Sequence, residues 1–189
     1  MPVQTISPTA SSHDAWEAGT GVVTLTDEVK MTAGPAWGGL LLAAVTASHQ
    51  ATINSATLYY QASATSHDDP DIDWYLQAAD TAAAFTTGAS NISGRARTTA
   101  VTQDTSTAIG NTVYRSVNIT SQVAEVTGRA GWVSGGNMAL IADARSASCD
   151  IWLRSYDSGG SFWYVEINYT EPVGSGVPLK TIYYARLRG

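Results

Sequence analysis

A run of aspartates is the first place where this sequence could do chemistry. The stretch DDPDID, residues 68–73, holds four aspartates in six residues and leads directly into Trp74. Counted from Asp69, carboxylates fall at positions 1, 3, 5 and 12, which is the acid spacing of a helix-loop-helix calcium site. However, Trp74 replaces the glycine that such a loop needs at position 6, and the last acid is the short Asp80.

Two of these acids are predicted to share one face of a strand. Asp71 and Asp73 would then lie about 7 Å apart along the strand. One interpretation is a calcium ion held by Asp69, Asp71 and Asp73. The other is a solvated turn around the Asp-Pro pair, since surface acids are usually hydrated. The sequence indicates no other cofactor.

Catalytic side chains are harder to single out. A glycosidase needs two facing acids, and although Asp71, Asp73, Asp157 and Glu166 are available, no spacing selects a pair. The three histidines show no ligand spacing, and GWVSGG differs from the nucleophile elbow of serine hydrolases. Cys149 borders an apolar strand, where a cysteine is usually a packed small side chain. The sequence therefore predicts no catalytic residues.

The aromatic content is more informative. Six tryptophans and nine tyrosines in 189 residues exceed what one core usually absorbs, and FWYVEINY places Tyr164 and Glu166 on one face and Trp163 on the other. Exposed rings stack on sugars, so Trp152, Tyr156 and Trp163 are candidate glycan-binding residues. The same residue types are enriched in protein interfaces, and the rings could also fill the core. The sequence leaves these three interpretations open.

Composition and charge argue against two classes of partner. Charged residues make up only 14% of the chain, and the net charge of −6 with scattered basic residues does not suit nucleic acid. No window approaches the roughly 18 consecutive apolar residues of a membrane helix. The opening MPVQTISPTASSHDAWE has no signal-peptide pattern, and Cys149 is the only cysteine. We therefore expect a protein made and folded in a reducing cytoplasm.

Short alternating segments separated by turn residues predict the fold. DIDWYLQA places Ile72, Trp74 and Leu76 on one face, and further strands are expected at ATINSATLYY, NMALIADA, CDIWLRSY and FWYVEINY. One short helix is predicted in NITSQVAEVTGRAGW, and DTAAAFTT is a second, weak helical or loop segment. We expect an all-β, antiparallel jelly-roll β-sandwich with one short helix and an extended C-terminal arm.

Both ends of the chain differ from its middle. Residues 1–12 are polar, which predicts an N-terminal arm, and residues 13–172 form the predicted sandwich. Residues 173–189 begin with the linker VGSGV and continue as PLKTIYYARLRG, an apolar, aromatic and basic segment. We expect this C-terminal arm to dock on a partner; the alternative is a strand that completes a sheet edge of its own domain. The predicted docking residues are Leu179, Ile182, Tyr183, Tyr184, Arg186 and Leu187.

Several segments, in one order, resemble a known family. They are ATINSATL, WYLQAADTAAAFT, ISGRARTTAVT, VNITSQVAEVTGRAGWVSGGNMAL, and RSYDSGG followed by YVEINY. Together they cover about residues 13–171. In this order they resemble the DNRLRE-type jelly-roll domains, a carbohydrate-binding-like group of bacterial surface proteins and phage particles. WGGLLLAAV departs from the phenylalanine-rich strand that is usual there. The resemblance implies a non-enzymatic scaffold or binder and carries over no catalytic residue.

We therefore expect a structural protein of the phage virion, made in the host cytoplasm. A capsid decoration or head-tail accessory protein, anchored through its terminal arms, fits best. Its partners would be other virion proteins and further copies of itself, and a trimer would fit a site on an icosahedral shell. The alternative is a carbohydrate-binding or host-adhesion module that binds surface glycan. A glycan-cleaving enzyme is the weaker third hypothesis.

Overall fold

The computed structural model describes residues 1–32, 35–158 and 163–173. Within these ranges the regular structure consists of thirteen short strands, one α-helix and two 3-10 turns. The strands are β1 (Val3–Ile6), β2 (Asp14–Ala18), β3 (Val23–Thr24), β4 (Val29–Thr32), β5 (Ala36–Val45), β6 (Thr52–Tyr60), β7 (Asp68–Asp69), β8 (Ile72–Leu76), β9 (Thr102–Asp104), β10 (Arg115–Asn118), β11 (Gly136–Ala144), β12 (Asp150–Leu153) and β13 (Tyr164–Thr170). The helix is α1 (Thr120–Thr127).

The strands form three antiparallel sheets within the described residues. Their orders are β1-β13-β6-β10, β3-β2-β5-β11-β8-β9 and, in a small third sheet, β4-β12-β7. The first sheet and the β5-β11-β8-β9 part of the second are the two layers of a jelly roll. Numbered in chain order, these eight strands read 1-8-3-6 in one layer and 2-7-4-5 in the other. The predicted all-β jelly-roll sandwich is therefore confirmed, with β2 and β3 extending its second layer.

The main core lies between the two layers and contains several of the large rings. Trp74, Trp132, Trp163 and Tyr60 are fully buried there. The ring of Trp74 lies 5.4 Å from that of Tyr60 and 6.2 Å from that of Trp163, measured between centroids. As predicted, β8 alternates between buried and part-buried residues. The inward face of β8 is therefore apolar, and Asp73 and Tyr75 are left to its outward face.

A second, smaller core covers the other face of β5 and β11. Leu41 and Ile141 pack there against Phe85 from the irregular segment 78–100, which includes the DTAAAFTT stretch. Because both faces of β5 are covered, its sequence AWGGLLLAAV is almost continuously apolar instead of alternating. Gly39 is needed at the contact because a Cβ there would overlap the ring of Phe85.

Two charged side chains hold this covering segment in place. Glu17 is buried, and its carboxylate accepts the N–H groups of Ile92 at 2.8 Å and Ser93 at 2.9 Å. The guanidinium of Arg95 lies 4.3 Å from the ring centroid of Phe85 and donates to backbone carbonyls of the same segment. The irregular backbone is thus fixed by side chains where no ladder of strand hydrogen bonds is available.

The predicted short helix is confirmed as α1. Asn118 Oδ1 accepts the N–H of Thr120 at 2.9 Å, and Thr120 Oγ1 accepts the N–H of Ala56 in β6 at 2.9 Å. At the other end, the N–H of Gly128 donates to the carbonyl of Ala124 at 3.0 Å. The first turn is therefore tied both to the preceding strand and to the first layer.

Residues 3–6, predicted as part of an N-terminal arm, instead form β1. This strand pairs with β13, from Val3 opposite Asn168 to Ile6 opposite Val165. Ile6 is buried, and it is the inward aliphatic residue of a strand only four residues long. So short an alternation is hard to detect in a sequence, whereas the open edge of β13 offers it backbone partners.

The eight jelly-roll strands are complete at Thr170. The predicted linker and docking arm, with all six docking residues, lie outside the described residues apart from Val173. In the described part of the chain, no helix is long and apolar enough to cross a membrane.

Asp14, at the start of β2, is a buried carboxylate with few partners. Its exposed fraction is 1%, and its Oδ2 accepts the N–H of Tyr156 at 2.6 Å and lies 3.4 Å from Nε1 of Trp163. Among the described residues, its Oδ1 has no hydrogen-bond partner. Burial raises the pKa of Asp14 from 3.8 to about 6, although the N–H of Tyr156 opposes the shift.

Replacing Asp14 with Asn should therefore stabilise the protein above pH 6 and change little near pH 4. The folded state binds an extra proton between the unfolded and folded pKa values, so ionisation of Asp14 costs stability as the pH rises through about 6. The cost is at most about 3 kcal/mol. Urea unfolding of the wild type and of Asp14→Asn at pH values above and below this range measures the difference.

Asp69→Asn is the matched control because Asp69 is exposed. Its effect on the free energy of unfolding should be small and should not follow the same pH dependence. An equal effect of Asp14→Asn at both pH values would contradict the assigned cause.

Candidate binding face

The solvent side of the first layer carries the candidate site. Strand alternation turns the apolar residues of β6, β10 and β13 into the core and leaves mostly small polar side chains outside. The outward residues are Ser55, Thr57 and Tyr59 on β6, Ser116 and Asn118 on β10, and Tyr164, Glu166 and Asn168 on β13.

Three tyrosines gather at one end of this surface; Tyr59, Tyr114 and Tyr164 are called the tyrosine face. Tyr59 and Tyr164 are directly opposite each other, and their rings stack with centroids 4.8 Å apart and an interplanar angle of 18°. Tyr114 meets Tyr164 edge-on, at 5.4 Å and 72°. All three are part-buried, so each keeps some ring surface in contact with water. A cross-strand ring pair of this kind also stabilises the sheet itself.

A depression of about 270 Å³ adjoins the tyrosine face at β10, the edge strand of the first layer. Tyr114 lines the depression and belongs to the tyrosine face, and Ser116 is the cross-strand partner of Tyr59. The rings and the depression are therefore one continuous surface. The lining residues are Asp104, Ser106, Ile109, Tyr114, Arg115 and Ser116.

A buried ion pair fixes the floor of the depression. Arg115 is 4% exposed and Asp68 is 2% exposed. Nε and Nη2 of Arg115 donate to Asp68 Oδ1 at 3.0 Å and 2.7 Å, and Asp68 Oδ2 accepts the N–H groups of Ile109 at 2.8 Å and Gly110 at 2.6 Å. The ion pair thus joins β7, the segment 105–114 and β10.

Tyr60 and Asp104 form a second buried link beside it. The Tyr60 hydroxyl donates to Oδ2 of Asp104, and Oδ1 of Asp104 accepts from Oγ of Ser106 at 2.6 Å and from its N–H at 3.1 Å. Burial, and then the charge of Asp104, raises the pKa of Tyr60 well above its usual value. The hydroxyl therefore stays protonated and keeps donating.

The chemistry of this surface suits binding. Part-exposed rings can stack on the C–H faces of sugar rings, and hydroxyl and amide side chains both donate and accept hydrogen bonds. Glu166 adds a carboxylate acceptor on the same face as Tyr164, and burial together with the Glu166 charge raises the pKa of Tyr164. Tyr164 is therefore an uncharged ring at neutral pH.

The predicted glycan-binding residues lie elsewhere. Trp163 is 0% exposed and fills the main core, so it cannot present its ring to a sugar. Trp152, on β12 of the third sheet, stacks against His67 with centroids 4.3 Å apart and has the ammonium of Lys30 4.9 Å from its ring centroid. Tyr156 is exposed, in the 3-10 turn that follows β12. The three do not form one aromatic platform.

Two acids of the aspartate run are paired with an arginine. Arg145 lies between two of its acids, 2.9 Å from Asp71 and 3.1 Å from Asp73, while Asp69 is opposite Asp150 on the neighbouring strand. Over residues 1–32, 35–158 and 163–173, no group of three His, Cys, Asp or Glu side chains is arranged to hold a metal. The predicted calcium ligands Asp69, Asp71 and Asp73 are therefore not brought together.

A second pair of carboxylates is also directly opposite across two strands. Asp73 of β8 is opposite Asp143 of β11, but Arg145 neutralises the first and Arg97 the second. Burial raises the pKa of Asp143, and the charge of Arg97 opposes that shift.

Cys149 is buried, and burial raises its pKa to about 11, so its thiol is protonated and a poor nucleophile.

The sequence analysis missed all three residues of the tyrosine face, Tyr59, Tyr114 and Tyr164, as site residues. The available signal was the alternation in ATINSATLYY and FWYVEINY, which places Tyr59 and Tyr164 on the polar faces of their strands. Alternation within a strand does not show that β6 and β13 are neighbours or that Tyr59 is opposite Tyr164.

No protein-family model matches the chain, and no curated protein matches it either. The resemblance to DNRLRE-type domains therefore stays a prediction.

Removing the charge of Asp68 should destabilise the protein strongly. Asp68→Asn would leave the buried guanidinium of Arg115 uncompensated, which we expect to cost about 3 kcal/mol or more of unfolding free energy. The matched control is Asp80→Asn, which breaks the exposed ion pair with Arg129 and should cost less than about 1 kcal/mol. Chemical denaturation of both variants measures the contrast, and equal costs would mean that burial of the Asp68 pair is not decisive.

Proposed function

We propose that the chain is a non-enzymatic carbohydrate-binding module that serves adhesion to a glycan-bearing surface. The observation that carries this proposal is the tyrosine face together with the depression that adjoins it. Ring surface for stacking and polar groups for hydroxyls lie side by side there, which is the combination that sugar binding needs.

The size and rigidity of the site favour a sugar over a protein partner. A stable protein interface covers about 800 Å² on each side around an apolar centre, whereas three part-buried rings among small polar residues offer much less apolar surface. The rings of Tyr59 and Tyr164 sit on paired strands, and Tyr114 precedes Arg115, which the buried ion pair holds. A surface that is already ordered loses little conformational entropy on binding.

The arrangement of the remaining acids supports a binder over a glycan-cleaving enzyme. A glycosidase keeps one carboxyl group as an acid and the other as a nucleophile or base. Asp73 and Asp143 face each other, but each is paired with its own arginine and thereby committed to an ion pair. Glu166, on the same face as Tyr164, is opposite Thr57 of β6, so this cross-strand partner is not a second carboxylate.

A second candidate function is that of a phage virion structural protein, as a capsid decoration or head-tail accessory protein. The favouring observation is that the jelly roll is complete at Thr170, so neither layer requires a further strand from residues 174–189. The apolar, aromatic and basic sequence of that segment can then attach the domain to other virion proteins or to further copies of the chain, for instance in a trimer. The two proposals are compatible, since an attached domain can display a glycan-binding face.

Tyr114→Ala should weaken glycan binding about fivefold, because a ring contact is worth about 1 kcal/mol. Tyr114 precedes β10, so its loss disturbs the ladder less than the loss of Tyr59 or Tyr164. Titration of the full chain with glycans selected on an array measures the change, and an unchanged melting temperature shows that the variant is folded. Tyr156→Ala, an exposed tyrosine elsewhere, is the control and should bind as the wild type does. Equal losses in both variants would count against the tyrosine face.

A chain that ends at Pro172 should lose particle association and self-assembly while keeping glycan binding. The reason is that the proposed attachment resides after the complete sandwich. Light scattering, with and without calcium, and co-sedimentation with particles measure this. Full-length Tyr114→Ala is the crossed control, which should lose glycan binding but keep association. A truncated chain that still assembles would contradict the attachment role of the C-terminal segment.

A further inference from the structure

The outward surface of the first layer is short of positive charge. None of the outward positions described on β6, β10 and β13 is Lys or Arg. Glu166 is outward on β13, two residues from Tyr164, and is opposite Thr57. A ligand that lies across the rings therefore comes close to a carboxylate with no cation presented beside it on these strands.

The basic residue that lines the depression is already engaged. Besides its two hydrogen bonds to the Asp68 carboxylate and one to the Asp68 carbonyl, Arg115 donates from Nη1 to Oγ of Ser106 at 2.5 Å and from Nη2 to the carbonyl of Thr107 at 2.8 Å. Its charge is matched by Asp68 within the protein. Asp104, which also lines the depression, adds a second carboxylate to the side on which a ligand would rest.

We propose that the tyrosine face selects neutral glycans over anionic ones and places one sugar ring in the depression. This inference rests on the proposed carbohydrate-binding function and names the ligand class of the same site. The depression, about 270 Å³, lies just below the range of pockets for drug-sized ligands and suits a single sugar ring. Neighbouring rings of the same glycan lie against Tyr59 and Tyr164.

The carboxylates favour binding of a neutral sugar and disfavour binding of an anionic one. Glu166 and Asp104 can accept hydrogen bonds from the hydroxyls of a neutral sugar. A sialic acid, uronic acid or sulfate group would instead bring a negative charge close to them, and the outward positions described on β6, β10 and β13 present no cation to compensate it. Charge repulsion of this kind between groups exposed to water amounts to about a threefold to tenfold change in affinity at low salt.

The experiment compares paired glycans that differ only in an acidic group. The full-length wild type, Glu166→Gln and Glu166→Lys are applied to an array that includes sialyllactose methyl ester with sialyllactose, and methyl-esterified oligogalacturonate with the free acid. Glu28→Gln, which makes the same change beside β4 in the third sheet, is the matched control. Each array is repeated in high salt, which screens exposed charges.

The wild type should bind the neutral member of a pair more tightly. Glu166→Gln should narrow that difference about threefold or more, Glu166→Lys should narrow it further, and high salt should reduce it, while Glu28→Gln leaves it unchanged. Tighter binding of the acidic members by the wild type, or the same preference in the wild type and the Glu166 variants, would overturn the proposed selectivity. Either result would leave the proposed glycan binding intact. Failure of the wild type to bind any glycan would overturn both.

Discussion

The candidate binding face depends on the buried ion pair between Asp68 and Arg115. Two charges buried this deeply are tolerated only when their hydrogen-bonding groups are used, and here both carboxylate oxygens and the guanidinium are engaged. The pair connects the third sheet, the segment 105–114 and the edge of the first layer. Because Tyr114 precedes Arg115 in the chain, the position of its ring follows from the position of the pair.

Large aromatic rings lie both in the two cores and on the surface of the first layer. Trp74, Trp132 and Trp163 fill the main core, and Phe85 fills the second one. The part-exposed ring cluster on the first layer consists of tyrosines, whose hydroxyls can remain in contact with water while the ring packs on its neighbours. Trp163, one of the three candidate glycan-binding residues of the sequence analysis, instead fills space between the layers of the sandwich.

Several of the few charged side chains on this chain are engaged in ion pairs with one another. Arginines pair with four acids in or beside β7, β8 and β11: Arg115 binds Asp68, Arg145 binds Asp71 and Asp73, and Arg97 binds Asp143. Three acids of the aspartate run therefore bind guanidinium groups, whereas a bound metal was one interpretation of the sequence. The first layer is left with hydroxyls, amides, tyrosines and the carboxylate of Glu166, which is a surface for hydrogen bonding more than for ion pairing.

The sequence by itself determined the strands with clear alternation, the short helix and the all-β class, because these depend on periodicities within a few consecutive residues. It did not reveal β1, whose alternation is too short, or the second core, which depends on a covering segment. Only the tertiary structure decided that Tyr59 faces Tyr164, that Asp68 meets Arg115 and that Arg145 holds Asp71 and Asp73. Each of these contacts joins residues far apart in the chain. The pairing of Tyr59 with Tyr164 depends on the register of β6 and β13, and a slip of one residue would turn one of these side chains to the opposite face.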